Sequence, residues 1–201
     1  MALFDQPGAW SRWNATQRDR VPRPLVHALL RHAGDGDGRL ALDLGCGAGV
    51  EAELLLRRGW RVLAVDGDPE AGPSLAARLP AGLRAGLEVL TADFADLPVL
   101  PPLDLVHAGW SLPYAGRSLP RVWHALLTAL VPGGWLGGEL FGDRDGPPDA
   151  TDVATLSDAQ LDRLLAPLTV VQRDTQEADG ESPSGPHHWH VHTVVARRPL
   201  V

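Results

Sequence analysis

The 201-residue chain contains no lysine, and its 18 basic side chains, all arginine, face 25 acids for a net charge of −7. Proteins that bind polyanions need a basic stripe to displace counterions, and here only pairs such as Arg57-Arg58 and Arg197-Arg198 stand together, so no nucleic-acid partner is expected. Cysteine is nearly absent as well. The single Cys46 excludes an internal disulfide and reads as a small filler. No apolar stretch approaches the roughly 20 residues that a membrane helix needs, so no membrane partner is expected either. The opening "MALFDQPGAWSRWNATQRDR" lacks a cationic start followed by an apolar run, which makes a cytoplasmic location the expectation. With 44% hydrophobic and 21% charged residues, the chain has the composition and length of one globular domain.

Glycine, by contrast, is plentiful and placed with meaning. From Leu42 to Glu70 the chain reads "LDLGCGAGVEAELLLRRGWRVLAVDGDPE": a strand, a glycine-dense turn, a short amphipathic helix and a second strand ending on an acid. Gly45, Gly47 and Gly49 permit a tight turn that brings backbone N–H groups close to a ligand at the start of a helix. Asp66 follows Gly45 by 21 residues, at the end of the next strand, where a carboxylate can accept two ribose hydroxyls. A nicotinamide or flavin site wants G-x-G-x-x-G, but Val50 stands where its third glycine belongs. Asp43, two residues before Gly45, would repel a diphosphate and suits an ammonium group instead.

Strands and helices alternate along the rest of the chain. Pro24 to His32 has helical spacing, stopped by "GDGDG"; strands are expected at 39–44, 60–66, 87–91, 103–108, 135–141, 169–174 and 188–197. Helices are expected at 50–58, from an Asp68 N-cap to about Leu79, at 119–130 and at 157–165. Residues 1–24 form a separate segment, a possible lid over cofactor or substrate, and 25–201 the domain proper. The last two strands lack an intervening helix, which predicts an antiparallel end to an otherwise parallel α/β sheet covered on both faces. A long polar loop containing "EADGESPSGP" is expected before the final strand.

The turn and its following acid resemble motif I and the acidic motif of the class I S-adenosylmethionine-dependent methyltransferases. That resemblance spans roughly Leu25 to Arg197 and implies a Rossmann-like seven-stranded sheet of order 3-2-1-4-5-7-6, with strand 7 antiparallel. It implies S-adenosylmethionine as cofactor and S-adenosylhomocysteine as product. The cofactor contacts it suggests are Asp43, Gly45, Cys46, Gly47 and Gly49 around the turn, Asp66 and Gly67 after the second strand, and His107 at the fourth. Asp93 and Phe94, after the third strand, match the family's adenine contacts. Arg20, with the nearby tryptophans, is a candidate for closing over the cofactor's carboxylate. "GELFGDRD" after "PGG" and the close "HHWHVH" make the chain similar to compact bacterial members of the tellurite-resistance and thiopurine type.

The acceptor is read from what surrounds this pocket. Trp110 and Tyr114 follow the fourth strand where family members hold substrate, and Trp10 and Trp13 lie in the lid segment; all four are candidate substrate contacts. "HAGWSLPY" lacks the [D/N]-P-P-[Y/F/W] pattern of enzymes that methylate planar amino groups. A small organic molecule, methylated on O, N, S or C, is therefore the expected substrate. Strand alternation puts His188, His190 and His192 on one face, so His188 or His190, with Tyr114, are candidates to remove a proton from the acceptor. No metal site is expected, because no third ligand accompanies the H-x-H pair. The rival functions are a non-methylating cyclisation or rearrangement that uses the same cofactor, and a catalytically silent partner protein.

Overall fold

The computed structural model describes residues 2–200. In chain order the helices are α1 (Ala9–Thr16), α2 (Pro24–Ala33), α3 (Val50–Arg57), α4 (Ala71–Arg78), α5 (Ala81–Arg84), α6 (Leu119–Ala129) and α7 (Asp158–Leu165). The strands are β1 (Leu40–Leu44), β2 (Arg61–Asp66), β3 (Leu87–Thr91), β4 (Leu103–Ala108), β5 (Leu130–Gly142), β6 (Thr155–Leu156), β7 (Thr169–Ser182) and β8 (Gly185–Arg197). They form a single sheet of order β3-β2-β1-β4-β5-β8-β7, with the two-residue β6 pairing alongside β5. The expected seven-strand path is therefore present, and β6 is an eighth strand that the sequence reading did not contain. Strands β1 to β5 run parallel, and β8 is antiparallel to both β5 and β7.

Alternation along the central strands divides the core. Leu42 and Leu44 of β1, with Leu63 and Val65 of β2, face a cluster completed by Val122, Trp123 and Leu126 of α6. Ala41, Val62 and Ala64 face the opposite way, onto Leu25 and Leu29 of α2, Leu55 of α3 and Leu75 of α4. Parallel strands covered on both faces need apolar residues at successive positions, and β1 is buried from Ala41 to Leu44. The helices end where their sequence says they should. Pro24 begins α2, Gly34 closes it at φ +72°, and a capping box of Ser157 and Gln160 opens α7. None of the described helices is long and apolar enough to cross a membrane.

Two expectations need correction. The polar stretch before the last strand is not a loop: β7 continues to Ser182 and pairs with β8 through a two-residue turn, Ser182 opposite Gly185. Its residues are exposed almost throughout, so its polar composition belongs to an edge strand whose charges discourage further pairing. Helix α4 starts at Ala71, and Asp68 accepts the Glu70 N–H within the preceding turn instead of serving as its N-cap. Ahead of α2 the chain forms a 3-10 turn (Leu3–Asp5) and α1, which lies over the carboxyl ends of β1 and β2.

Candidate active site

A cavity of about 370 Å³ opens at the carboxyl ends of the parallel strands, the usual place for a ligand in such sheets. Its floor is the turn between β1 and α3. Gly45, Gly47 and Gly49 all have positive φ, at +70°, +50° and +73°. A Cβ on Gly45 would lie 2.4 Å from Cβ of Ser111, and one on Gly47 would lie 2.9 Å from Oδ1 of Asn14. The Gly45 position thus requires glycine for conformation and for space, and the Gly47 position for conformation. Gly49 is the N-cap of α3 and packs on Leu75.

Asp66 holds this turn together. Its Oδ2 accepts the Gly47 N–H at 2.7 Å and its Oδ1 the Asp68 N–H at 2.8 Å, leaving each oxygen a second lone pair. Burial, opposed by those two N–H groups, raises its pKa. Asp68, which the sequence reading treated only as a cap, does more: its carboxylate accepts from Ser11 at 2.7 Å and Asn14 at 3.0 Å, both on α1. These two bonds latch the amino-terminal helix over the cavity. Asp93 caps a 3-10 turn (Phe94–Asp96) by accepting the Ala95 N–H, and it lines the cavity beside Phe94.

Deeper in, Asp43 and His107 face each other across β1 and β4, with Oδ1 and Nδ1 2.7 Å apart and both side chains almost wholly buried. Burial works against the imidazolium, but the hydrogen bond and charge of Asp43, helped by Glu51 and Glu139, raise the His107 pKa. Asp43 Oδ2, His107 Nε2 and Ser111 Oγ are buried without a hydrogen-bond partner among the described residues, as is Oε2 of Glu139 close by on β5. Orphaned polar atoms at the base of a cavity mark where a polar ligand or water completes the bonding. Burial, then the charges of Asp43 and Asp66, push the Cys46 thiol well up, so it is neutral and inert.

The walls come from the lid and from the chain after β4. Phe4 stacks on Trp10 at 3.9 Å, Trp10 meets Tyr114 edge-on at 4.9 Å, and Trp110 meets Trp189 of β8 at 5.0 Å. Trp10, Trp13, Trp110 and Tyr114 all line the cavity. Trp110 has φ +55°, a conformation unusual for a bulky residue. Burial, with Asp149 and Asp145 nearby, holds the Tyr114 phenol above its usual pKa, so it remains a proton donor and is unsuited to act as a base.

His188 and His190 do not reach the cavity. Alternation along β8 turns Trp189 toward Trp110 and the histidines the other way. His188 binds Asp179 and Glu177, while His190 contacts Arg144. Their candidacy as bases is thereby withdrawn. Arg20 lines the cavity, but both its terminal nitrogens bond the Glu51 carboxylate at 2.5 Å, so it is already neutralised. Burial would raise the Glu51 pKa, yet Arg20, His107 and the Arg23 N–H hold it at about 2. Sequence reading missed Ser11, Asn14, Arg23 and Glu51, and the one signal for Glu139 was an acid standing inside a strand.

The donor set suits a nucleoside carrying an amino acid better than a dinucleotide. Asp43, Asp66, Asp68 and Asp93 surround the glycine turn with carboxylates where a diphosphate would need cations.

Comparison with known proteins agrees. Residues 41–134 match the family model described as a methyltransferase domain. Trans-aconitate 2-methyltransferase from Pseudomonas aeruginosa is 32% identical over 200 residues, covering 83% of this chain and 70% of the relative. Other curated relatives are matched over less of their length. The chain spans 36% of a probable ribosomal RNA small subunit methyltransferase A from Methanospirillum hungatei, 36% identical over 96 residues, or 47% of this chain. Among solved structures, TehB from Haemophilus influenzae superposes with a TM-score of 0.73 at 14% identity, covering 94% of this chain and 67% of that one. The Burkholderia thailandensis 1,6-didemethyltoxoflavin-N1-methyltransferase, solved with bound 1,6-didemethyltoxoflavin and S-adenosylhomocysteine, gives 0.71 at 22% identity, covering 98% and 87%. Glycine turn, strand-end acids, sheet order and relatives lead to one conclusion: the chain belongs to the class I S-adenosylmethionine-dependent methyltransferases.

Proposed function

We propose that this protein transfers a methyl group from S-adenosylmethionine to a small organic molecule held against Trp10, Trp110 and Tyr114. The observation that carries the proposal is the bonded turn at Gly45–Gly47. Asp66 ties it from one side while Asp43 Oδ2 stands without a partner on the other. When bound, S-adenosylmethionine supplies a methyl on a positive sulfonium; an acceptor lone pair takes the methyl carbon, and the C–S bonding electrons stay on sulfur, giving S-adenosylhomocysteine.

The chain's own residues bind and align. Asp66, with a lone pair free on each oxygen, would receive the two ribose hydroxyls, Gly67, Asp93 and Phe94 would flank the adenine, and Asp43 would take the ammonium, directly or through water. His107 is a positioning residue, because its Nδ1 fixes the Asp43 carboxylate through a 2.7 Å bond. The lid latched by Ser11 and Asn14 excludes water from the reacting atoms.

A small acceptor is favoured by the aromatic walls, the net charge of −7 and the lack of lysine. Small molecules are acceptors in the names of trans-aconitate 2-methyltransferase and the toxoflavin-precursor enzyme, whereas the Methanospirillum hungatei relative is named for ribosomal RNA. Incubation with methyl-labelled cofactor and either a metabolite extract or ribosomal RNA separates the two. Label in a small organic product supports the proposal, and label confined to RNA refutes it.

A further inference from the structure

We infer that the acceptor carries a carboxylate, and that the Arg23 guanidinium receives it at the Trp110 wall. This rests on the methyltransferase reading above and specifies its substrate class. Two arginines line the cavity, Arg20 and Arg23. Arg20 is held by both oxygens of Glu51. The Arg23 backbone N–H also goes to Glu51, at 2.9 Å, but its side chain has no hydrogen bond and no ion pair among the described residues. It lies over the Trp110 ring instead, 5.6 Å from the centroid.

An unpaired cation is costly in that position. Burial first, and then the like charge of Arg20, work against the Arg23 cation, and the carboxylates of Glu51 and Glu139 offset them only from a distance. A half-buried guanidinium with its donors free, facing a cavity, is a receptor for an anion. The Trp110 backbone strengthens the assignment, because its φ of +55° sets the indole beneath the guanidinium. Unusual backbone conformations persist where the surroundings enforce them, often at ligand sites.

Two observations narrow the anion. The Arg23 guanidinium lies over the Trp110 ring, on the wall supplied by the chain after β4, which assigns it to the acceptor. Glu51 and Glu139 close to this single free guanidinium would repel the second charge of a phosphate, whereas one planar carboxylate matches one guanidinium fork.

The test uses protein saturated with S-adenosylhomocysteine and titrated calorimetrically with crotonate, benzoate and cinnamate, each beside its carboxamide. The expected result is at least tenfold tighter binding of one or more acids than of the matching amide. In Arg23→Gln that preference disappears while S-adenosylhomocysteine affinity stays within twofold of wild type, and Arg23→Lys keeps part of it. A lack of preference across the panel in wild type overturns the inference, as does a preference that survives in Arg23→Gln. Loss of S-adenosylhomocysteine affinity in Arg23→Gln would assign the residue to the cofactor's own carboxylate and overturn it equally. If wild-type protein fails to bind S-adenosylhomocysteine at all, the methyltransferase reading falls as well, so the two failures are distinguishable.

Discussion

Replacing Glu51 by glutamine removes one charge from a buried pair without changing the shape of the side chain. Glu51 is 4% exposed and Arg20 22% exposed in this pair, and the carboxyl is held at about 2 against an ordinary 4.5. At about 1.4 kcal/mol per unit, that depression corresponds to roughly 3 kcal/mol of stability at neutral pH. The sign follows from the direction of the shift. A carboxyl whose folded pKa is depressed stabilises the fold above its unfolded pKa of 4.5 and loses that contribution as pH falls toward 2. Glu51→Gln should therefore be less stable than wild type by about 2 to 3 kcal/mol at pH 7, with the deficit roughly halved at pH 3. Urea unfolding of both proteins at the two pH values provides the measurement, and the difference between them cancels the other titrating carboxylates. A deficit that stays constant from pH 7 to pH 3 would refute the ion pair as the source of the depression. The amide oxygen that Glu51→Gln introduces still accepts the Arg23 N–H, so the approach to α2 should survive.

Gly45→Ala should lose more than tenfold in S-adenosylhomocysteine affinity by calorimetry and about 1 to 2 kcal/mol in stability, because its Cβ meets Ser111 at φ +70°; unchanged values would show that the turn is slack. Asp68→Ala removes the acceptor of both Ser11 and Asn14, so amide exchange across Ala9–Thr16 should accelerate while β1 and β4 stay protected. Equal protection in the mutant would dismiss the latch. His188→Ala should leave S-adenosylhomocysteine binding and methyl-transfer rate within twofold of wild type, since its partners are Asp179 and Glu177; a tenfold slower rate would return His188 to the reacting centre.

The main features of the fold were legible in the sequence because they are local. Strands β3 and β4 begin and end where their apolar runs do, at Leu87–Thr91 and Leu103–Ala108. The glycine turn between β1 and α3 and the acid ending β2 announce themselves by spacing alone, since backbone conformation and strand direction are properties of short segments. Polar composition misled where burial is slight. β7 is a strand only because β8 pairs with it, and nothing within "QEADGES" favours that pairing by itself.

Partnership between distant residues was decided by tertiary structure. Ser11 and Asp68 are 57 positions apart, Arg20 and Glu51 31, and Asp43 and His107 64. Period-two alternation separated Trp189 from His188 and His190, but it could not say which side meets the cavity. The sequence by itself determined that a glycine turn would open a helix between two strands that carry acids at their ends. Tertiary packing decided which arginine is neutralised and which is left free, because charge pairing depends on distances that only the assembled sheet, helices and lid establish.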